Sequence, residues 1–204
     1  MTAMVEEERL SQARRLLVTV AHRAYARGLT LGVSGNLSVR LPDVNHILIK
    51  ATGKCLGDLA EEDTVLVDLE GIAVDPLAPP PSKESLFHVA IYRQRPDVMA
   101  VVHLHPPYAV SLAVRHLLPP LLTGAARAFL GGKMALVGVA PSGSRELAAL
   151  VGRAFEEKTI RAAILAEHGT ITVGADLWEA FYLSEYLEDA ARVACLVGLS
   201  SGAT

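Results

Sequence analysis

Ala162-Ala-Ile-Leu-Ala-Glu-His-Gly-Thr-Ile-Thr-Val173 holds two apolar runs with only Glu167-His168-Gly169 between them. Runs of this length, bounded by turn residues, read as strands over Ala162–Ala166 and Thr170–Val173. Further short strands at Leu37–Arg40, His46–Ala51 and Thr64–Asp68 also follow one another without an intervening helix. Asp97–His103, with Val-Met-Ala-Val-Val between its polar ends, reads as a fully buried strand, and another lies near Met134–Val139. Working outward, Leu10, Ala13, Leu17, Val20 and Ala24 recur at helical spacing, which predicts a helix from about Val5 to Arg27 with Gly28 as its C-terminal cap. Helices are also expected from Ser82 to about Arg93, after Pro107, and near Arg145–Glu157. The last helix starts at Asp176, whose side chain and Glu179 form a capping box, and runs to about Val197. Strands come in adjacent pairs as often as they alternate with helices. The expectation is therefore an α/β domain with a mixed, largely antiparallel sheet covered by helices, not a doubly wound parallel one.

The chain has 204 residues, of which 51% are apolar and 20% charged, enough for one sizeable core and incompatible with general disorder. The short Pro76–Pro81 stretch leads straight into a helix and is no linker, so residues 1–204 read as one domain. Nineteen Lys and Arg against 22 Asp and Glu leave a net charge of −3, which argues against nucleic acid or an anionic membrane as partner. Mean hydropathy is +0.34, yet no apolar run approaches the roughly 20 residues that span a bilayer. The acidic opening Met1–Arg9 is unlike a secretory signal, and Cys55 and Cys195 form neither a disulfide framework nor a thiolate metal site. A soluble cytoplasmic protein is expected.

The histidines carry the chemistry. His103 and His105 end a buried strand at a spacing of two, which turns both rings to one face. His168 sits in the Glu-His-Gly turn, where Gly169 is expected to let the backbone turn sharply. Three neutral imidazoles suit Zn²⁺ or another borderline divalent ion, with a position left for substrate. Glu84, read as lying in a first helical turn, could bind that ion or take a proton from carbon beside a carbonyl; it could equally be there to suit the helix dipole. Lys83 does not suit the dipole, so an anionic ligand is one reason for it to be there. His88, one turn after Glu84, reads as structural, and His22, His46 and His116 as surface or loop residues. Gly35-Asn36, Thr52-Gly53 and Ser82-Lys83 each pair backbone N–H groups with a polar side chain in a turn, a pattern that can hold an anion. Neither a Walker A sequence nor GxGxxG is present.

Taken together, Gly32-Val-Ser-Gly-Asn-Leu-Ser-Val-Arg40, Ala51-Thr-Gly-Lys-Cys55, Pro81-Ser-Lys-Glu-Ser-Leu-Phe-His88, Ala100-Val-Val-His-Leu-His105 and Leu165-Ala-Glu-His-Gly169 resemble the class II aldolase/adducin family, and within it the L-fuculose-phosphate aldolase branch. The resemblance extends over nearly the whole chain. It implies an α/β/α domain in which His103, His105 and His168 are zinc ligands, with Mn²⁺, Co²⁺ or Fe²⁺ as substitutes. It implies that Glu84 is the catalytic acid/base and a metal ligand when no substrate is bound, and that Asn36, Thr52, Gly53, Ser82 and Lys83 bind the substrate phosphate. The implied reaction is retro-aldol cleavage of a small phosphorylated ketose through a zinc-stabilised enediolate, in a homotetramer with active sites at subunit interfaces. The same motifs are similar to 3-oxo-tetronate 4-phosphate decarboxylases, and epimerase, dehydratase and non-catalytic adducin-like readings follow behind. Fuculose-phosphate aldolases carry a proton-donating tyrosine after the His-x-His region, whereas Leu121–Phe129 here has none. The missing tyrosine weakens the aldolase reading unless another donor, such as Tyr108 or a tyrosine of the last helix, reaches the site.

Overall fold

The computed structural model describes residues 2–41 and 45–198. Helix α1 (Thr2–Ala26) comes first and stops where Gly28 takes a left-handed φ of 70°, as a C-terminal cap requires. Seven strands follow: β1 (Asn36–Arg40), β2 (His46–Lys50), β3 (Thr64–Asp68), β4 (Ala100–Leu104), β5 (Met134–Val137), β6 (Ala162–Leu165) and β7 (Gly169–Gly174). They form one sheet in the order β3-β2-β1-β4-β7-β6-β5. Every neighbouring pair is antiparallel except β5 and β6, so the sheet is mixed and largely antiparallel, as the paired strands predicted.

The remaining helices are α2 (Ser85–Gln94), α3 (Pro107–Ala113), α4 (Gly124–Leu130), α5 (Arg145–Phe155) and α6 (Leu177–Leu196). Alternation along the strands sorts them into two outer layers. Val101 of β4, Ala163 and Leu165 of β6, and Ile171 and Val173 of β7 meet Phe87, Ile91, Val151 and Phe155 beneath α2 and α5. Ala100, Val102 and Leu104 turn the other way, towards Leu17, Val20 and Ala24 of α1 and Phe181 of α6. Ala162 and Ile164 meet Leu112, Leu130 and Leu187 of α3, α4 and α6. Asp176 caps α6 by accepting from the Glu179 N–H at 2.8 Å, while the Glu179 carboxylate returns to the Ala175 N–H, one residue earlier than a strict capping box.

Two starts near the site differ from expectation, and one helix is additional. The helix predicted to open at Ser82 begins at Ser85, because Ala51 and Pro81 pair as a β-bridge and the Ser82 N–H donates to the Lys50 carbonyl at 3.0 Å. Residues 82–84 are thereby held as a turn, and Glu84 is the residue just before the helix. Strand β4 begins at Ala100, since the Val98 N–H closes a turn onto the Arg95 carbonyl. Helix α4 was not foreseen; its start is fixed by Thr123, whose hydroxyl oxygen accepts from the Ala126 N–H. No helix among the described residues is long and apolar enough to cross a membrane.

Candidate metal and active site

The sheet brings three imidazoles together. His103 is the fourth residue of β4, His105 lies just past its end, and His168 stands in the turn between β6 and β7. Their ligand nitrogens all lie within 4.8 Å of one another. The left-handed residue of that turn is Glu167, at φ 59°, and not Gly169 as the sequence suggested. Gly169 is needed for space: a Cβ there would stand 2.6 Å from the Leu104 carbonyl oxygen and 2.7 Å from the His105 ring. Only a residue without a side chain lets the histidines close on the β7 backbone.

The donor set fits a divalent ion. His103 donates from Nδ1 to the Thr170 carbonyl at 2.9 Å, which turns Nε2 towards the cluster, where a cation would take its lone pair in place of a proton. The Nε2 atoms of His103 and His105 are 2.9 Å apart, close to the roughly 3.3 Å edge of a tetrahedral site with Zn–N bonds near 2.0 Å. Burial, then His103 and His168, pushes His105 down to about 3, so its ring is neutral and available as a ligand at ordinary pH.

Glu84 faces the same cluster and is only 5% exposed. One oxygen, Oε1, accepts from the Ser142 hydroxyl at 2.6 Å and lies 3.1 Å from His168 Nε2. The other, Oε2, accepts from the Asn36 amide at 2.9 Å and lies 3.2 Å from His103 Nε2. Burial opposes its charge, but hydrogen bonds from His103, His168 and Ser142 overcome that and hold the carboxyl far below the usual range. Asn36 stands directly opposite His103 in the β1–β4 pairing, so the two side chains share a face.

His88 is structural in the sense expected, and it reaches further. Its ring accepts from the Ser38 hydroxyl at Nδ1 and donates from Nε2 to the Asn36 carbonyl oxygen, fixing the amide that holds Glu84. Burial, then the neighbouring His103, lowers His88 to about 3, with Glu84 pulling weakly the other way. A histidine that stays neutral when folded but takes a proton near pH 6.5 when unfolded stabilises the fold above that pH and ceases to as the pH falls towards 3. Chelator-treated protein is expected to lose about 1.4 kcal/mol per pH unit from this group below pH 6.5. Denaturant midpoints at pH 7 and pH 5 should therefore separate more for the native chain than for His88→Gln; equal separations would remove the assignment.

The anion turns line the same cavity of about 350 Å³, which is bordered by Asn36, Thr52, Gly53, Ser82, Lys83 and Glu84 together with His105 and His168. The amides of Thr52 and Ser82 are already donated to the Pro80 and Lys50 carbonyls, so these two residues offer a ligand their hydroxyls. The carbonyl oxygen and one amide hydrogen of Asn36 are spent on His88 and Glu84. Sequence reading missed Lys50, which is 2% exposed and donates from Nζ to the carbonyls of Val33 and Lys54, tying two of the turns together. Burial lowers its ammonium to about 8, against the pull of Cys55 and Glu84. A lysine at a buried position of the strand His46–Lys50 was the available signal. No tyrosine borders this cavity among the described residues. Tyr108 opens on a separate cleft with Arg27 and Arg192, and Tyr182 and Tyr186 on another with Phe129 and Trp178.

A mixed sheet carrying three convergent imidazoles and a carboxylate defines a class of protein that the comparisons make specific. The family described as Class II Aldolase and Adducin N-terminal domain matches residues 15–195, and the chain belongs to that family. It is 36% identical over 192 residues to a 3-oxo-tetronate 4-phosphate decarboxylase of Haemophilus influenzae, covering 88% of this chain and 85% of the relative. It is also 36% identical over 176 residues to an L-fuculose phosphate aldolase of Methanococcus maripaludis, covering 86% and 92%. The crystal structure of an L-fuculose-1-phosphate aldolase from Thermus thermophilus superposes with a TM-score of 0.79 at 30% identity, covering 97% of this chain and 99% of that one.

Proposed function

We propose that this protein is a divalent-metal-dependent carbon–carbon lyase that cleaves a small phosphorylated ketose by a retro-aldol reaction. The observation that carries the reading is the meeting of His103, His105, His168 and Glu84 in one cavity bordered by anion-holding turns. His103, His105 and His168 hold the ion, zinc in the first instance, and Glu84 joins them when no substrate is bound. When bound, the ion supplies Lewis acidity that stabilises negative charge at the carbonyl end of the substrate. Asn36, Thr52, Gly53, Ser82 and Lys83 receive the phosphate and fix the reacting carbons beside Glu84. As the C3–C4 bond breaks, its electron pair passes into an enediolate and the C4 hydroxyl becomes an aldehyde by giving its proton to solvent water. Glu84, protonated from solvent in exchange, then delivers that proton to C3, and in the reverse direction removes it. The single domain works as a cytoplasmic homotetramer, in which a neighbouring subunit meets the interface sites.

Decarboxylation of a 3-oxo-tetronate 4-phosphate is the second reading. It is favoured by the lack of a tyrosine around the cavity among the described residues, since carbon dioxide leaves without any proton transfer at oxygen. Metal-loaded protein incubated with ketose 1-phosphates and with 3-oxo-tetronate 4-phosphates separates the two. Triose phosphate from the sugar phosphates is the expected product. Carbon dioxide release with no triose phosphate from any ketose would overturn the choice.

A further inference from the structure

Glu84 has four neighbours able to donate to it, and three of them have other work. His103 and His168 belong to the imidazole cluster, and Asn36 is shared with His88. The fourth is Ser142, in the turn that leads from β5 into α5, and its hydroxyl donates to Oε1 at 2.6 Å. Ser142 is exposed, so nothing in the core requires it there. The turn around it is nonetheless built for the contact. The Ser144 N–H closes onto the Pro141 carbonyl at 3.0 Å, and the Ser144 hydroxyl oxygen caps α5 by accepting from the Leu147 N–H. Gly143 takes a left-handed φ of 76°, and a Cβ on it would stand 2.8 Å from the Lys83 carbonyl oxygen. A glycine in this conformation lets the turn lie flat on the Lys83–Glu84 peptide, with the serine hydroxyl against the carboxylate.

We infer that Ser142 is the positioning residue of Glu84, fixing the plane of the carboxylate so that one oxygen edge faces the metal cluster and the reacting carbon. This rests on the lyase reading for the consequence in catalysis, though not for the geometry itself. With His103 and His168 turned to a bound cation, Asn36 alone would hold Glu84 through Oε2 if Ser142 were absent, and Oε1 would be free to turn onto that cation as well. The side chain would spend less time aligned for proton transfer, and near-attack geometry is steep in such displacements.

The test compares the native chain with Ser142→Ala and Ser142→Thr in two measurements. In the first, metal-loaded protein is given dihydroxyacetone phosphate in deuterium oxide, and solvent deuterium replacing a carbon-bound proton is followed by NMR. This half-reaction needs Glu84 but no aldehyde. Ser142→Ala is expected to slow the exchange at saturation by about tenfold or more, with the half-saturating concentration within about twofold of native, and Ser142→Thr to restore most of the rate. A loss confined to half-saturation, or a native rate in Ser142→Ala, would overturn the inference. The second measurement uses no substrate. Cobalt-loaded Ser142→Ala is expected to show shifted visible absorption bands as the freed carboxylate changes the cation's ligand set, while Ser142→Thr matches the native spectrum. An unshifted spectrum would overturn the inference whatever the exchange assay shows. A native protein that exchanges no deuterium would remove the lyase reading and leave the cobalt comparison to decide the role of Ser142.

Discussion

His105→Ala and His168→Ala are each expected to strip the protein of its divalent ion and of its turnover together. Three imidazoles and one carboxylate converge on the cavity, and two imidazoles alone are a poor site for a borderline cation. Purified native protein should hold about one ion per chain, and each single variant far less after passage through a chelating buffer. His105 and His168 are the informative positions because both are only half-buried. His103 is wholly buried, packs edge-on against Phe87 and donates to the Thr170 carbonyl, so His103→Ala also leaves a void and an orphaned acceptor. Metal content by elemental analysis, read beside circular dichroism, separates loss of the ion from loss of the fold. Full metal content in all three variants would remove the assignment, and with it the Lewis acid the reaction needs.

Glu84→Gln should leave the ion largely in place and still cost about a hundredfold or more in rate. The amide cannot take a proton from carbon at any accessible pH. It fits its surroundings, since its oxygen can stay on the Asn36 amide while its NH₂ donates to the Ser142 hydroxyl, which accepts as readily as it donates. The fall in rate is therefore expected without a large fall in stability, and a denaturation curve checks the latter. Turnover equal to native would return Glu84 to the ordinary role of an acid that suits a helix start.

Much of this was readable from the chain alone, for identifiable reasons. Strand pairs joined by three or so residues admit few arrangements, so Glu167-His168-Gly169 and its flanks announced the hairpin and the antiparallel bias of the sheet. His103 and His105 were legible because a period of two is local. What depends on contacts between distant segments was hidden. Nothing near Ser142 marks it in sequence; it matters because β5 ends beside the turn before α2. Glycine 169 was noticed for the wrong property, since conformational freedom and lack of bulk look the same in one-letter code, and only packing tells them apart. Ser82 misled in a related way. A serine before a helical pattern is an ordinary cap, but its amide was already engaged by the end of β2.

The pairing that sets Asn36 opposite His103 has a kinetic side. Those residues are brought together only when β1 lies on β4, and His168 arrives only when β7 closes on the other edge of β4. Both are long-range pairings, the kind that form late and slowly because a large loop must close before any contact rewards it. Local structure such as α1, the β6–β7 hairpin or α6 can assemble earlier without presenting more than one of the three imidazoles. A chain still searching for its topology thus offers a passing cation at most the local pair His103 and His105, and the three-imidazole site exists only once the central strand has both its neighbours.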